Sequence, residues 1–422
     1  MAGNTKTVRK GFDYLSCDDF AAYLEEMARK GWYFKQWSAG LVFERGEPRE
    51  TEYAVEVFMD GSEYDTRPEP HTQEFAEYCE AAGWRLVDAK RKFCIFEKIR
   101  SDAVEILTDE ERLSNIAKEE QKNIWHHLII SAIWSGMKIL EFTSISFANN
   151  IFSNSSLLIT GIWLLFLITS IGRAAQFYIW KFRMGARVRR GEDVYFGRGK
   201  KNGLSMYPLH SWISIGGCAM YFIGCWYFGQ SRMVLFFLGY LAVLLVMGYL
   251  IAKFRPEANT NAIIQIVVPA ILFVGLLAVS IFQVIDSDAK RHDAQQIPLY
   301  PADISLDFGE MKSSTGYIHN SIFGTHTAYS LSYEGQHTIF YVAYRTEEDW
   351  ILDRIWEIET DVAANRNRTD CAEEWGAESG FRNGNDKYYL RYADSILIFT
   401  IYDAFEPTPE QIAAILDKLD LR

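Results

Sequence analysis

Residues 233–252 read MVLFFLGYLAVLLVMGYLIA, twenty residues without one charge. A helix crossing a bilayer needs about 20 mostly apolar residues, so this stretch is the clearest membrane signal in the chain. It lies inside a longer apolar block from Ile124 to Ile285. Five spans are expected there, at about 125–147, 156–179, 211–229, 233–252 and 263–285. The fold class expected from this pattern is a multi-domain membrane protein. A cytosolic α+β domain (1–100) leads through a helical stalk (101–123) into a five-helix transmembrane bundle (124–285), and an extracytoplasmic α+β domain (286–422) follows.

Charge orients the block. The 422 residues carry a net charge of -12, but unevenly. Residues 1–123 hold 18 Lys and Arg against 26 Asp and Glu, and residues 286–422 hold 12 against 25. The middle holds 13 against 4. Its basic residues cluster in one loop: Lys181, Arg183, Arg187, Arg189, Arg190, Arg198, Lys200 and Lys201. Cytoplasmic loops are enriched in Lys and Arg, so this cluster is expected at the cytoplasmic face, against lipid headgroups. The expected localisation is a multi-pass protein of the cell membrane. Its N-terminus is cytoplasmic, and five spans leave its C-terminus extracytoplasmic. Met1 to Tyr14 lacks a signal-peptide core, so the first span is expected to direct insertion.

The first span holds Lys138 and Glu141, three residues apart and on one helix face. They are the candidate intramembrane polar pair. Acidic ends argue against nucleic acid as a partner. None of the six cysteines forms a CxxC pair. No metal-ligand spacing or hydrolase motif occurs, so the expectation is no catalytic residue, no metal, no cofactor and no enzyme.

The N-terminal domain contains a repeat. Phe20–Glu25 (FAAYLE) is echoed by Phe75–Glu80 (FAEYCE), and Gly31-Trp32 by Gly83-Trp84. Each unit reads as helix, Gly-Trp, then hairpin, on one antiparallel sheet. The residues Leu24–Trp32, Phe43-Glu44, Tyr53, Gly83-Trp84 and Phe96–Lys98 resemble the domain-of-unknown-function 2812 family. That resemblance implies a bacterial membrane protein, often encoded beside PadR-type regulators, with no established activity and no site residue to carry over.

Thr108–Glu111 forms a capping box that opens the stalk helix. In the C-terminal domain, hairpins at 328–345 and 387–402 each precede a helix. This pattern predicts an antiparallel sheet with helices on one face, and 365–385 reads as a loop. His319, His326 and His337 are not at ligand spacing.

The function these features imply is a signal-transducing or regulatory scaffold linking the extracytoplasmic domain to a cytosolic partner. The alternative is a transporter or channel component. The expected partners are the lipid bilayer, a cytosolic protein engaging 1–123, and further copies of the chain as a homo-oligomer.

Overall fold

The computed structural model describes residues 4–197, scattered positions between 212 and 223, and residues 231–290, 297–362, 368–384, 387–402 and 406–421. The chain divides into two compact units. One comprises 1–133 with 163–277, and the other 134–162 with 278–422.

The first unit holds a duplicated strand–helix–hairpin. Its first copy is β1 (Thr5–Val8), α1 (Cys17–Arg29), β2 (Trp32–Trp37) and β3 (Leu41–Arg45). The second is β4 (Tyr53–Val57), α2 (Pro70–Ala81), β5 (Trp84–Lys90) and β6 (Phe93–Lys98). Each copy forms its own antiparallel sheet, in the orders β1-β3-β2 and β4-β6-β5. The single sheet expected from the sequence is therefore two, because each copy begins with a strand that edges its own hairpin. Gly31 and Gly83 end their helices at positive φ, 75° and 97°. A Cβ on Gly31 would stand 2.6 Å from the Gly46 carbonyl oxygen, so glycine is required there. The helix α3 (Asp109–Thr143) starts at the Thr108–Glu111 capping box. Its Ile116, Ala117 and Ile124 are buried with Phe20, Leu24, Phe43 and Phe93, so the expected stalk belongs to this domain's core.

The described residues do not form the expected five-helix bundle. Among the described residues one helix, α5 (Asn154–Arg189), is long and apolar enough to cross a membrane. The apolar stretches Leu238–Phe254 and Ala258–Leu272 are shorter. The expected span at 211–229 falls mostly outside the described residues. The link between the first two expected spans also differs from the prediction. A short helix, α4 (Phe147–Ile151), and Phe152 are buried among Val342, Tyr344, Ile351 and Ile398. Phe177, inside the second expected span, is likewise buried as protein core, a distinction that composition cannot make. The fold is α+β.

The second unit is built on a seven-stranded antiparallel sheet, ordered β10-β11-β12-β13-β9-β8-β7. The strands are β7 (Met311–Ser321), β8 (Gly324–Tyr333), β9 (Thr338–Arg345), β10 (Arg368–Asp370), β11 (Ser379–Asn383), β12 (Lys387–Arg391) and β13 (Ser395–Tyr402). Both hairpins predicted from sequence are present. The loop predicted at 365–385 instead supplies β10, β11 and a helical turn, Ala372–Trp375. Helices cover both faces of the sheet, not one. Ile396 and Ile398 face the helix Asp349–Val362, while Leu397, Phe399 and Ile401 pack with Ile412 and Ile415 of the helix Pro409–Lys418. A strand buried on both sides reads as an unbroken apolar run, as SILIFTIY of β13 does.

The helix Pro409–Lys418 is capped as its sequence implies. Thr408 accepts a hydrogen bond from the Gln411 amide, and Gln411 reaches back to the Thr408 amide. Replacing Thr408 by alanine is expected to cost this unit about 1 kcal/mol, read as a lowered denaturation midpoint with an unchanged slope.

Candidate functional site

The two repeat copies meet along a seam made by equivalent positions. Both second strands carry a bulge three residues after the Gly-Trp tryptophan, between Phe34 and Gln36 in β2 and between Leu86 and Asp88 in β5. A bulge re-aims the side chains beside it. The residues that follow, Gln36 and Asp88, occupy matching places in the repeat and converge on one cation. Arg255 donates from Nη2 to Asp88 Oδ1 at 2.7 Å and from Nη1 to Gln36 Oε1 at 3.5 Å. The second Asp88 oxygen accepts from the Trp37 amide at 2.6 Å, which stitches the copies together. Two positions further on, the matching pair Ser38 and Lys90 also meet: Lys90 Nζ donates to the Ser38 carbonyl at 2.7 Å. Burial raises the Asp88 carboxyl above its ordinary range, and the Arg255 guanidinium offsets part of that rise.

Arg255 lies just past the helix Ser231–Phe254 and before Pro256. Further contacts fix the same join. Arg255 Nε donates to the Thr66 carbonyl at 2.5 Å, and Thr66 Oγ1 donates to the Pro256 carbonyl at 2.6 Å. Asn261 donates to the Tyr64 carbonyl, and the Ala258 amide to Glu69.

A second node ties the domain to α3. Arg112 donates to Glu56 Oε2 at 3.1 Å and to Asp18 Oδ1 at 2.6 Å. Asp18 in turn accepts from the Phe196 amide at 2.7 Å, beyond the end of α5. The guanidinium lies 4.9 Å from the centre of the Phe196 ring. Burial pushes the Glu56 carboxyl up to about 7, while Arg112 acts against the rise. Along α3, Glu119 accepts from the buried Lys92 at 3.0 Å, and Glu120 pairs with Arg173 of α5 at 2.6 Å. These are interlocked, buried ion pairs with no nucleophile or metal set among them. Among the described residues no group of three or more His, Cys, Asp or Glu is placed to hold a metal ion.

The residues singled out from the sequence are distributed as follows. Lys138 and Glu141 pair with each other at 2.6 Å within one turn of α3. Lys181 donates to Gln121 at 3.2 Å. Arg187 and Arg190 both turn to Glu192, at 3.2 and 2.6 Å. Arg183 and Arg189 are exposed on α5. Arg198, Lys200 and Lys201 lie outside the described residues. The histidines are less scattered than their spacing suggests. His319 and His326 stand opposite each other on β7 and β8, and His326 stacks on Tyr344 at 4.5 Å. Burial pushes the His326 imidazole down to about 3, so it is neutral and packs as an aromatic.

Sequence reading missed Arg112, Glu56, Arg255, Asp88 and Lys90. The one signal for any of them was the repeat itself, whose register places Gln36 against Asp88 and Ser38 against Lys90.

Residues 16–130 match the family model described as "Protein of unknown function (DUF2812)". That segment takes in both repeat copies from α1 onward and most of α3, and it is a DUF2812 domain. No curated protein and no solved structure matches the chain.

Proposed function

We propose that the protein is a membrane-anchored regulatory scaffold that transmits a signal between an extracytoplasmic domain and a cytosolic partner of the DUF2812 domain. The observation that carries this reading is the Asp18–Glu56–Arg112 node. Its buried pairs fix the domain to α3 and to the Phe196 segment beyond α5, so a displacement of either helix would reach the domain surface undamped. A buried pair resists separation because parting it strands a charge away from water.

The membrane part of the reading rests on α5. Only 11% of its most apolar window is buried within the protein, and Leu165, Ile168 and Ile171 are between 45 and 63% exposed. Lipid would cover such a surface. The basic residues from Lys181 to Arg190 then mark the cytoplasmic end of that helix. The DUF2812 domain is cytoplasmic in this reading, and the C-terminal domain extracytoplasmic.

Two experiments test the proposal. Reporter fusions should read cytoplasmic near Gly191 and external at Arg422; an external signal near Gly191 would sink the orientation. Crosslinking the full chain in its native membrane should recover a cytosolic protein bound through 1–123, and deletion should alter expression of the neighbouring genes. A chain that captures nothing and leaves expression unchanged is not a scaffold of this kind.

A further inference from the structure

A cavity of about 240 Å³ opens beside the seam, between the DUF2812 domain and the helix Ser231–Phe254. Met247 and Ile251 supply an apolar wall, and Trp37, Thr66, Lys90 and Arg255 line the other side. The charges there do not cancel. Arg255 is met by Asp88 at 2.7 Å. Lys90 is half-buried; it donates to the Ser38 carbonyl and lies 5.4 Å from the centre of the Trp37 ring. Among the described residues it forms no ion pair. The charged groups acting on it are Arg91, Arg255 and Asp88, two cations against one anion. Burial and the two arginines push its ammonium down to about 8. The Lys90 ammonium thus stands beside a cavity with one apolar wall, and Asp88, the anion acting on it, is already engaged by Arg255.

We infer that this cavity binds the head of a net-anionic amphiphile, with one phosphate or carboxylate that has no cation of its own against Lys90 and the aliphatic chain along Met247 and Ile251. The volume is below the roughly 300–1,000 Å³ of sites for whole drug-sized ligands, so it takes a head with the first part of a chain. The source is either a bilayer phospholipid or a free fatty acid. The inference stands apart from the scaffold reading, since a fatty acid reaches the cavity without a membrane.

Trp37 in the cavity wall provides the readout. The full-length protein is placed in phosphatidylcholine nanodiscs, and bromine-labelled phosphatidylglycerol or phosphatidylcholine is introduced. A brominated fatty acid is titrated in detergent in parallel. The Trp37 signal is obtained as the difference from Trp37→Phe. Phosphatidylglycerol or the fatty acid should quench it, and whichever does so identifies the source. Lys90→Met should bind about ten- to a hundredfold more weakly, the value of one charge-assisted hydrogen bond, and Lys90→Arg should restore binding. Lys90→Met also loses the bond to the Ser38 carbonyl and should lower the denaturation midpoint slightly, so its binding is measured where the variant is fully folded.

A pH series separates binding from a packing role. An anion needs protonated Lys90, so wild-type quenching should weaken as pH rises from 7 to 9, while that of Lys90→Arg should not. Equal quenching by phosphatidylcholine, unchanged affinity in Lys90→Met, or inorganic phosphate displacing the lipid as well as a free fatty acid does would each overturn the inference.

Discussion

Arg112→Leu is expected to destabilise the unit that carries the DUF2812 domain by about 3–5 kcal/mol at pH 8, and by clearly less at pH 5. The variant leaves two carboxylates, Glu56 and Asp18, whose side chains are only 7% and 18% exposed. Stranding a buried charge costs far more than the pair contributes when intact. The pH dependence follows from Glu56. Its carboxyl stands at about 7 in the folded protein, against an ordinary value of 4.5, because burial outweighs the pull of Arg112. A carboxyl raised on folding contributes its stability in full below the ordinary value. That contribution falls away as pH rises through the folded value. Without Arg112 the opposing pull is gone and the folded value rises further. The deficit of the variant should therefore stay level up to about pH 6 and grow as pH passes about 7 towards pH 8. The check is chemical denaturation of the full chain at both values, followed by tryptophan fluorescence. Equal losses at the two would mean that Glu56 does not carry the charge assigned to it. The double variant Glu56→Gln, Arg112→Leu should recover part of the loss at pH 8, since removing both partners strands less charge than removing one.

The local elements were legible because they rest on local patterns. Helix α1 shows its buried face in Phe20, Leu24, Met27 and Ala28, and the two Gly-Trp pairs mark helix ends that need a left-handed residue. Three kinds of structure were not legible. Strand β1 and the edge strand β7 are largely polar and exposed, so no alternation announces them. β10 and β11 arise in a segment rich in Gly and Asn, where pairing with β12 overrides weak propensity. The apolar block at 124–285 satisfied a length rule that cannot tell lipid from protein core, and Phe147 and Phe177 went to protein. The candidate site was least legible. Arg112 sits in a polar helix that reads as solvated, and Arg255 in a basic turn that reads as a loop. Their partners are far away in the chain: Glu56 and Asp18 for one, Asp88 and Thr66 for the other. No period connects such positions. The duplication relates Gln36 to Asp88 and Ser38 to Lys90, but it carries no sign of either arginine.

Arg255 is where chain geometry and charge can be separated. It adopts the left-handed region at φ 47°, where a side chain costs about 1–2 kcal/mol relative to glycine. The following Pro256 steers it away from the helical region, so the helix ends at Phe254. That strained residue nevertheless carries the guanidinium that meets Asp88, Gln36 and the carbonyls of Thr66 and Ala89. The contacts must outweigh the strain, because glycine would remove it at once. Arg255→Ala keeps the strain and loses the contacts, stranding Asp88, and should cost about 3–5 kcal/mol. Arg255→Gly loses the same contacts but relieves the backbone, so its cost should be about 1 kcal/mol smaller. Arg255→Lys should fall between wild type and glycine, because a single ammonium cannot serve Asp88 and two carbonyls from one planar fork. Denaturation midpoints of the three variants give the order, and hydrogen exchange across 231–254 locates the loss at this join. If alanine and glycine are equal, the left-handed turn carries no strain, and Arg255 is held there by the turn instead of by its charge.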